Sequence, residues 1–154
     1  MLHQCIYRNG IRDKMNKILF VLAVLFVSIS CNKNHIPFEA TNAEAYAYNI
    51  GDGTAEVNSR IYVKGFTQTE KDNNYKAAIA YQVDLIKPDN TIKKSVFSFV
   101  QNAEKGEPIN DIALEAQFLL DSTYKAGTYA LVYNIEDKNS ENKTETKVSF
   151  DLQW

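Results

Sequence analysis

The chain has 154 residues, 45% of them hydrophobic, and carries 17 basic against 19 acidic side chains for a formal net charge of −2. That balance argues against nucleic-acid binding, which needs a concentrated basic surface. With two cysteines and two histidines in all, the composition offers no disulfide framework and few ligands for a zinc centre.

Residues 1–14, MLHQCIYRNGIRDK, show no periodicity. They read as an extension upstream of a start at Met15, or as a long basic leader suited by Arg8, Arg12 and Lys14; Cys5 has no assignable partner in either case. Residues 15–30 follow as a segment of different character. Lys17 precedes ten unbroken apolar residues, Ile18 to Val27, and Ser28-Ile29-Ser30 then lead to Cys31. A charged start, a short apolar core and a small-residue exit describe a secretory signal. Spanning a bilayer takes about 20 apolar residues, more than this run supplies. A short buried helix would show polar residues at helical spacing, and this run shows none.

Ser28-Ile29-Ser30-Cys31 resembles the lipobox of bacterial lipoproteins, in a serine-rich form like that of Bacteroidetes. Ser28 stands where that motif has leucine, with Val27 just upstream. The resemblance implies cleavage before Cys31 and lipid attachment to Cys31. At about 0.8 kcal/mol per buried CH₂, more than one acyl chain anchors a protein stably without a membrane-spanning helix. Residues 31–42 then read as the lipidated cysteine and a flexible tether, polar and interrupted by Pro37. Asn32 stands where, in proteobacterial lipoproteins, an aspartate implies retention at the inner membrane. The acidic cluster of surface-exported lipoproteins is missing from Asn32-Lys33-Asn34-His35. The expected location is therefore the cell envelope, lipid-anchored at the outer membrane and facing the periplasm. Loss of Arg8, Arg12, Lys14, Lys17 and Asp13 with the signal leaves 13 basic and 18 acidic side chains, a net charge of −5.

Residues 43–154 read as a single all-β domain, because apolar residues recur at period 2. Tyr46, Tyr48 and Ile50 mark a first short strand, stopped at Gly51-Asp52-Gly53. Ala55, Val57, Ser59, Ile61 and Val63 mark a second, ending at Gly65 before a polar loop at 67–74. Ala77, Ile79, Tyr81, Val83 and Leu85 mark a third, and Lys87-Pro88-Asp89-Asn90 supplies turn chemistry after it. The fourth, 91–100, is ambiguous: Val96 and Val100 oppose Phe97 and Phe99, which suits a strand covered on both faces. Residues 101–110 read as a loop. Ile112, Leu114, Ala116, Phe118 and Leu120 alternate, although Leu, Ala, Glu and Gln also favour helix. Tyr129, Leu131, Tyr133 and Ile135 mark the sixth strand. Thr146, Val148, Phe150 and Leu152 mark the seventh, after a polar hairpin loop at 137–143. Seven strands at this spacing predict an antiparallel β-sandwich.

Gly127-Thr128-Tyr129-Ala130-Leu131 resembles the tyrosine corner of immunoglobulin-like domains, whose tyrosine hydroxyl bonds back to the upstream backbone. Leu131 replaces the cysteine of antibody domains and no tryptophan marks the third strand. The resemblance is therefore to disulfide-free bacterial immunoglobulin-like modules.

Chemistry is sparse. His35 is the last histidine and falls in the tether, so neither a Ser-His-Asp triad nor a zinc site can be assembled within the domain. Asp72, Glu104, Glu107, Asp111, Asp137 and Glu141 fall in expected loops, where carboxylates are ordinarily solvated. Asp137-Lys138-Asn139-Ser140-Glu141 alternates oxygen ligands as calcium requires, but lacks the glycine and distal glutamate of an EF-hand loop, so a plain hairpin turn is the simpler reading. Eight tyrosines follow Cys31; Tyr62 and Tyr75 are placed near an exposed face suited to sugars, and most others fall in phase with the core. Asp121-Ser122-Thr123 resembles the short O-glycosylation site of Bacteroidetes. The chain thus reads as a membrane-anchored, non-enzymatic immunoglobulin-like binding or structural module without a cofactor or metal. An envelope protein is its expected partner, met through loops 67–74, 101–110 and 137–143. Protease-inhibitor-like and glycan-binding modules are the alternatives, with a small hydrolase further off.

Overall fold

The computed structural model describes residues 36–154; the signal stretch, Cys31, His35 and the rest of the expected tether up to residue 35 lie outside the described residues. Ile36–Trp154 form one compact all-β unit. Its strands are β1 (Glu39–Gly51), β2 (Thr54–Lys64), β3 (Thr69–Lys71), β4 (Asn74–Ile86), β5 (Ile92–Lys105), β6 (Asp111–Asp121), β7 (Gly127–Asp137) and β8 (Lys143–Leu152). Sheet one has the order β1-β2-β6. In sheet two, β4 pairs with β5 along one edge and with β7 along the other, β7 pairs with β8, and short β3 flanks the start of β4. All pairings are antiparallel, and the two sheets face each other across one core as an immunoglobulin-like sandwich.

The core follows the alternation. Val57, Ile61 and Val63 of β2 meet Ile79, Val83 and Leu85 of β4, Leu114 of β6 and Leu131 and Tyr133 of β7, all fully buried. Residues 112–120 are strand rather than helix, paired with β2 over the whole of β6. Tyr129 forms the expected corner: its hydroxyl donates to the Lys125 carbonyl at 2.7 Å, while its ring stacks on Phe150 with centroids 5.6 Å apart.

Four boundaries or faces differ from the sequence reading. β1 begins at Glu39, inside the stretch expected to be tether. Glu39 is ion-paired with Lys64 at 2.9 Å, and the backbone of Ile36-Pro37 packs so closely on Gly65 that a Cβ there would lie 2.1 Å from the Pro37 carbonyl oxygen. The 67–74 loop contains β3 and a two-residue hairpin turn, Asp72-Asn73, in which both residues have positive φ, the twist that antiparallel hairpins favour. β5 continues to Lys105 through the expected loop. It is also an edge strand and not one covered on both faces, with Phe99 52% and Val100 46% exposed.

The ambiguity of β5 has a physical cause. Val83 pairs with Phe97 and Leu85 with Lys93, so Lys94, Ser95 and Val96 together oppose Asp84 in a bulge. Ser95 takes a positive φ of 55° there. The two extra residues keep the period-2 phase, so Phe97 and Phe99 share the face of Val83 and Tyr81, whereas Val96 lies in the bulge and Val100 on the opposite face.

Candidate functional site

The carboxylates singled out from the sequence do not converge. Among the described residues no group of three or more His, Cys, Asp or Glu side chains is placed to hold a metal ion. Glu104 lies on β5, not in a loop, and is bound by Asn74 and by Lys76 at 3.1 Å. Asp137 is fully buried. Its Oδ2 accepts from the Thr67 amide at 2.8 Å and the Ser140 hydroxyl at 2.7 Å, and its Oδ1 from the Asn139 amide at 3.0 Å. Burial opposes its ionisation, but these donors outweigh burial and hold the carboxyl below its ordinary range. Both carboxylate oxygens are thus spent on the turn, so 137–141 is a structural hairpin.

Asp84 is a second buried carboxylate, which the sequence reading passed over. Burial again opposes ionisation, and the Lys94 ammonium at 2.7 Å, the Ser95 amide at 2.9 Å and Gln82 at 3.2 Å outweigh it, lowering the pKa. Its signal in the sequence was a charge between Val83 and Leu85 on a strand otherwise apolar on one face. The residue plugs the β5 bulge, so its role is architectural.

The three loops expected to make contacts are knitted together at the end where the described chain begins. Gln68 donates to the Ile109 carbonyl and accepts from the Ile109 amide, both at 2.7 Å. Asn139 donates to the Thr67 carbonyl at 3.0 Å. At the opposite end, Lys87 and Lys93 each place an ammonium 5.5 Å from the centre of the Tyr124 ring. There Asp121 holds the Thr123 amide at 2.9 Å as an ordinary turn, with Ser122 exposed at its tip.

The unusual surface is the outward face of β1-β2-β6. Ala45 and Ala47 pair with the inward-pointing Ser59 and Val57, which turns Tyr46 and Tyr48 out to solvent beside Asn58 and Glu56. They are 58% and 46% exposed, and Ile50 and Leu119 are exposed with them. This corrects their assignment to the core phase. Ala45 and Ala47 take the inward positions instead and pack against the core. Of the two tyrosines expected outside, Tyr62 shares this outward face, whereas Tyr75 packs against the core.

The face is ordered by its own hydrogen bonds. The Tyr46 and Tyr48 rings are near-parallel, 21° apart, with centroids 6.2 Å from each other. Glu56 Oε1 accepts from the Tyr48 hydroxyl and from Asn58 Nδ2, the latter at 2.8 Å. Bonds from Asn58, Tyr48 and Gln117 hold the Glu56 carboxyl below its ordinary range, and the bond to Glu56 in turn raises the Tyr48 phenol. Arg60 Nε donates to Glu115 at 2.8 Å. Beside Tyr46 the face dips into a hollow of about 440 Å³ lined in part by Glu44, Asn58, Arg60, Glu115 and Gln117.

No protein-family model and no curated protein sequence matches this chain. Among solved structures it is similar to Bacteroides uniformis beta-glucuronidase 2 bound covalently to cyclophellitol-6-carboxylate aziridine, with a TM-score of 0.52 and 11% identity over 73% of this chain. A Bacteroides uniformis beta-glucuronidase crystal structure matches with a TM-score of 0.50 and the same 11% identity over 73% of this chain. In both cases the match takes in 13% of the larger protein's length. At that identity the likeness shows the fold alone: a β-sandwich of the kind built into larger proteins.

Proposed function

We propose that this protein is a lipoprotein of the bacterial cell envelope, anchored through acyl chains on Cys31 and carrying a non-enzymatic immunoglobulin-like binding module, at the outer membrane and facing the periplasm. The observation that carries the reading is the run of ten apolar residues closing on Ser28-Ile29-Ser30-Cys31, followed within a few residues by a compact domain starting at Ile36. A binding role is supported by the use of the buried carboxylates Asp84 and Asp137 as framework and by the large exposed side chains gathered on the outer face of β1-β2-β6. A sandwich does not dictate a function, so the site carries the argument. Cys31→Ala is expected to abolish incorporation of labelled fatty acid and to release the protein from the membrane fraction; continued labelling would refute the anchor. Crosslinking in intact cells is expected to retain a ligand, and turnover on a substrate panel would refute the non-enzymatic reading.

A further inference from the structure

The outward face of β1-β2-β6 combines two features. Large aromatic side chains stand in solvent on a strand whose inward positions are alanines. A set of polar groups beside them is already fixed by mutual hydrogen bonds. Across the three strands the rows run Tyr46–Asn58–Gln117 and Tyr48–Glu56–Leu119. A carboxylate therefore sits in the middle of the apolar surface, between Tyr48 and Leu119.

That arrangement discriminates between ligand classes. A protein interface desolvates an apolar centre and depletes charge there, which a central Glu56 held ionised by Asn58, Tyr48 and Gln117 opposes. An anionic ligand is disfavoured as well: Glu39, Glu44, Glu56, Asp111 and Glu115 share the face with Arg60 and Lys64, and those cations are tied to Glu115 at 2.5 Å and to Glu39 at 2.9 Å. A sugar ring matches both parts, having an apolar C–H face to lie on an aromatic ring and hydroxyls at its rim for carboxylate and amide groups. Tyrosine also commits little conformational entropy on binding.

We propose that this face binds a neutral glycan chain, with Tyr46 and Tyr48 stacking on its sugar rings and Glu56, Asn58 and Gln117 engaging its hydroxyls. The inference rests on the binding-module reading and names its ligand class. The test uses the full chain in detergent micelles, applied to an array of neutral and acidic oligosaccharides, followed by calorimetric titration of the neutral oligosaccharide best retained. Tyr46→Ala and Tyr48→Ala are each expected to weaken binding about tenfold, with unchanged melting temperature as the control for folding. Ile92→Ala, exposed on β5, is expected to leave the affinity unchanged. Retention of no neutral oligosaccharide, of acidic ones only, or affinity indifferent to both tyrosine variants overturns the proposal. A glycan-negative chain that still crosslinks to an envelope protein through Tyr46 overturns the ligand class and leaves the binding-module reading standing. Continued lipid labelling of Cys31→Ala removes the anchor and leaves this face untouched.

Discussion

Ser59 Oγ and the Tyr133 hydroxyl lie 2.5 Å apart in the core, joining the middle of β2 to the middle of β7 across the two sheets. Ser59 in turn reaches the Ala116 carbonyl at 3.4 Å, and the neighbouring Tyr81 donates to the Glu115 carbonyl at 2.5 Å. The Tyr81 and Tyr133 rings stack with centroids 6.0 Å apart. Each of these three hydroxyls thus has a partner on the facing sheet.

The two ends of the Ser59–Tyr133 contact are unequal. Tyr133→Phe leaves Ser59 its bond to Ala116, and the expected cost is about 1 kcal/mol; Ser59→Ala strands the phenol and is expected to cost about 2–3 kcal/mol. The double variant is expected to recover part of the Ser59→Ala loss, as read from urea unfolding. Equal single costs would contradict the asymmetry.

Burial, partly countered by the bond to Ser59, pushes the Tyr133 phenol up from its ordinary 10 to about 12. The folded state therefore holds this proton more tightly than the unfolded chain. The corresponding stability is complete below the unfolded pKa of 10 and is lost as pH rises from there through 12. Spectrophotometric titration is expected to show one tyrosine ionising last, and Tyr133→Phe is expected to flatten the alkaline fall in stability.

Acid acts through the two buried carboxylates with the opposite sign. Asp84 and Asp137 have folded pKa values below the unfolded 3.8, so their contribution is present above that pH and disappears as pH falls through the folded values. Asp137→Asn and Asp84→Asn are each expected to reduce stability by about 1–3 kcal/mol at neutral pH and to flatten the acid limb below the unfolded pKa. Lys94→Met is expected to cost less than about 1 kcal/mol, because its side chain is 70% exposed. Thermal melts across pH 2–7 measure both.

Tyr129→Phe is expected to cost about 1 kcal/mol through loss of the bond to the Lys125 carbonyl. Denaturant stability equal to that of the wild type would remove the tyrosine corner as a stabilising device.

Gly65→Ala tests the docking of the chain onto the domain. Gly65 has a φ of 71°, and an added Cβ would meet both the Pro37 and Ile36 carbonyl oxygens within 2.6 Å. The expected loss exceeds about 2 kcal/mol, with faster proteolysis around residues 36–38. Gly106→Ala, where nothing lies within 4 Å of the added atom, is expected to be near neutral.

Alternation along the chain determined the class of fold, because period-2 burial is a local property: the pattern of residues 112–120 and 129–135 by itself implies their strands and inward faces. The turn residues did the same for the ends of those strands, and Gly127-Thr128-Tyr129 for the corner. Tertiary structure decided what the pattern left equal. In β1 both Ala45 and Tyr46 are apolar enough to face inward, and the pairing with β2, opposite Ser59 and Val57, turned the alanines in. In β5 the bulge opposite Asp84 took up Val96, and the edge position exposed Phe99 on the inward face and Val100 on the outward one. Asp137 reads as a solvated loop carboxylate until Thr67, distant by 70 positions, brings its amide to it. The surface most suited to binding was hidden for the same reason: which face of a strand turns outward depends on its register with a neighbour distant in sequence and on the sheet packed behind it.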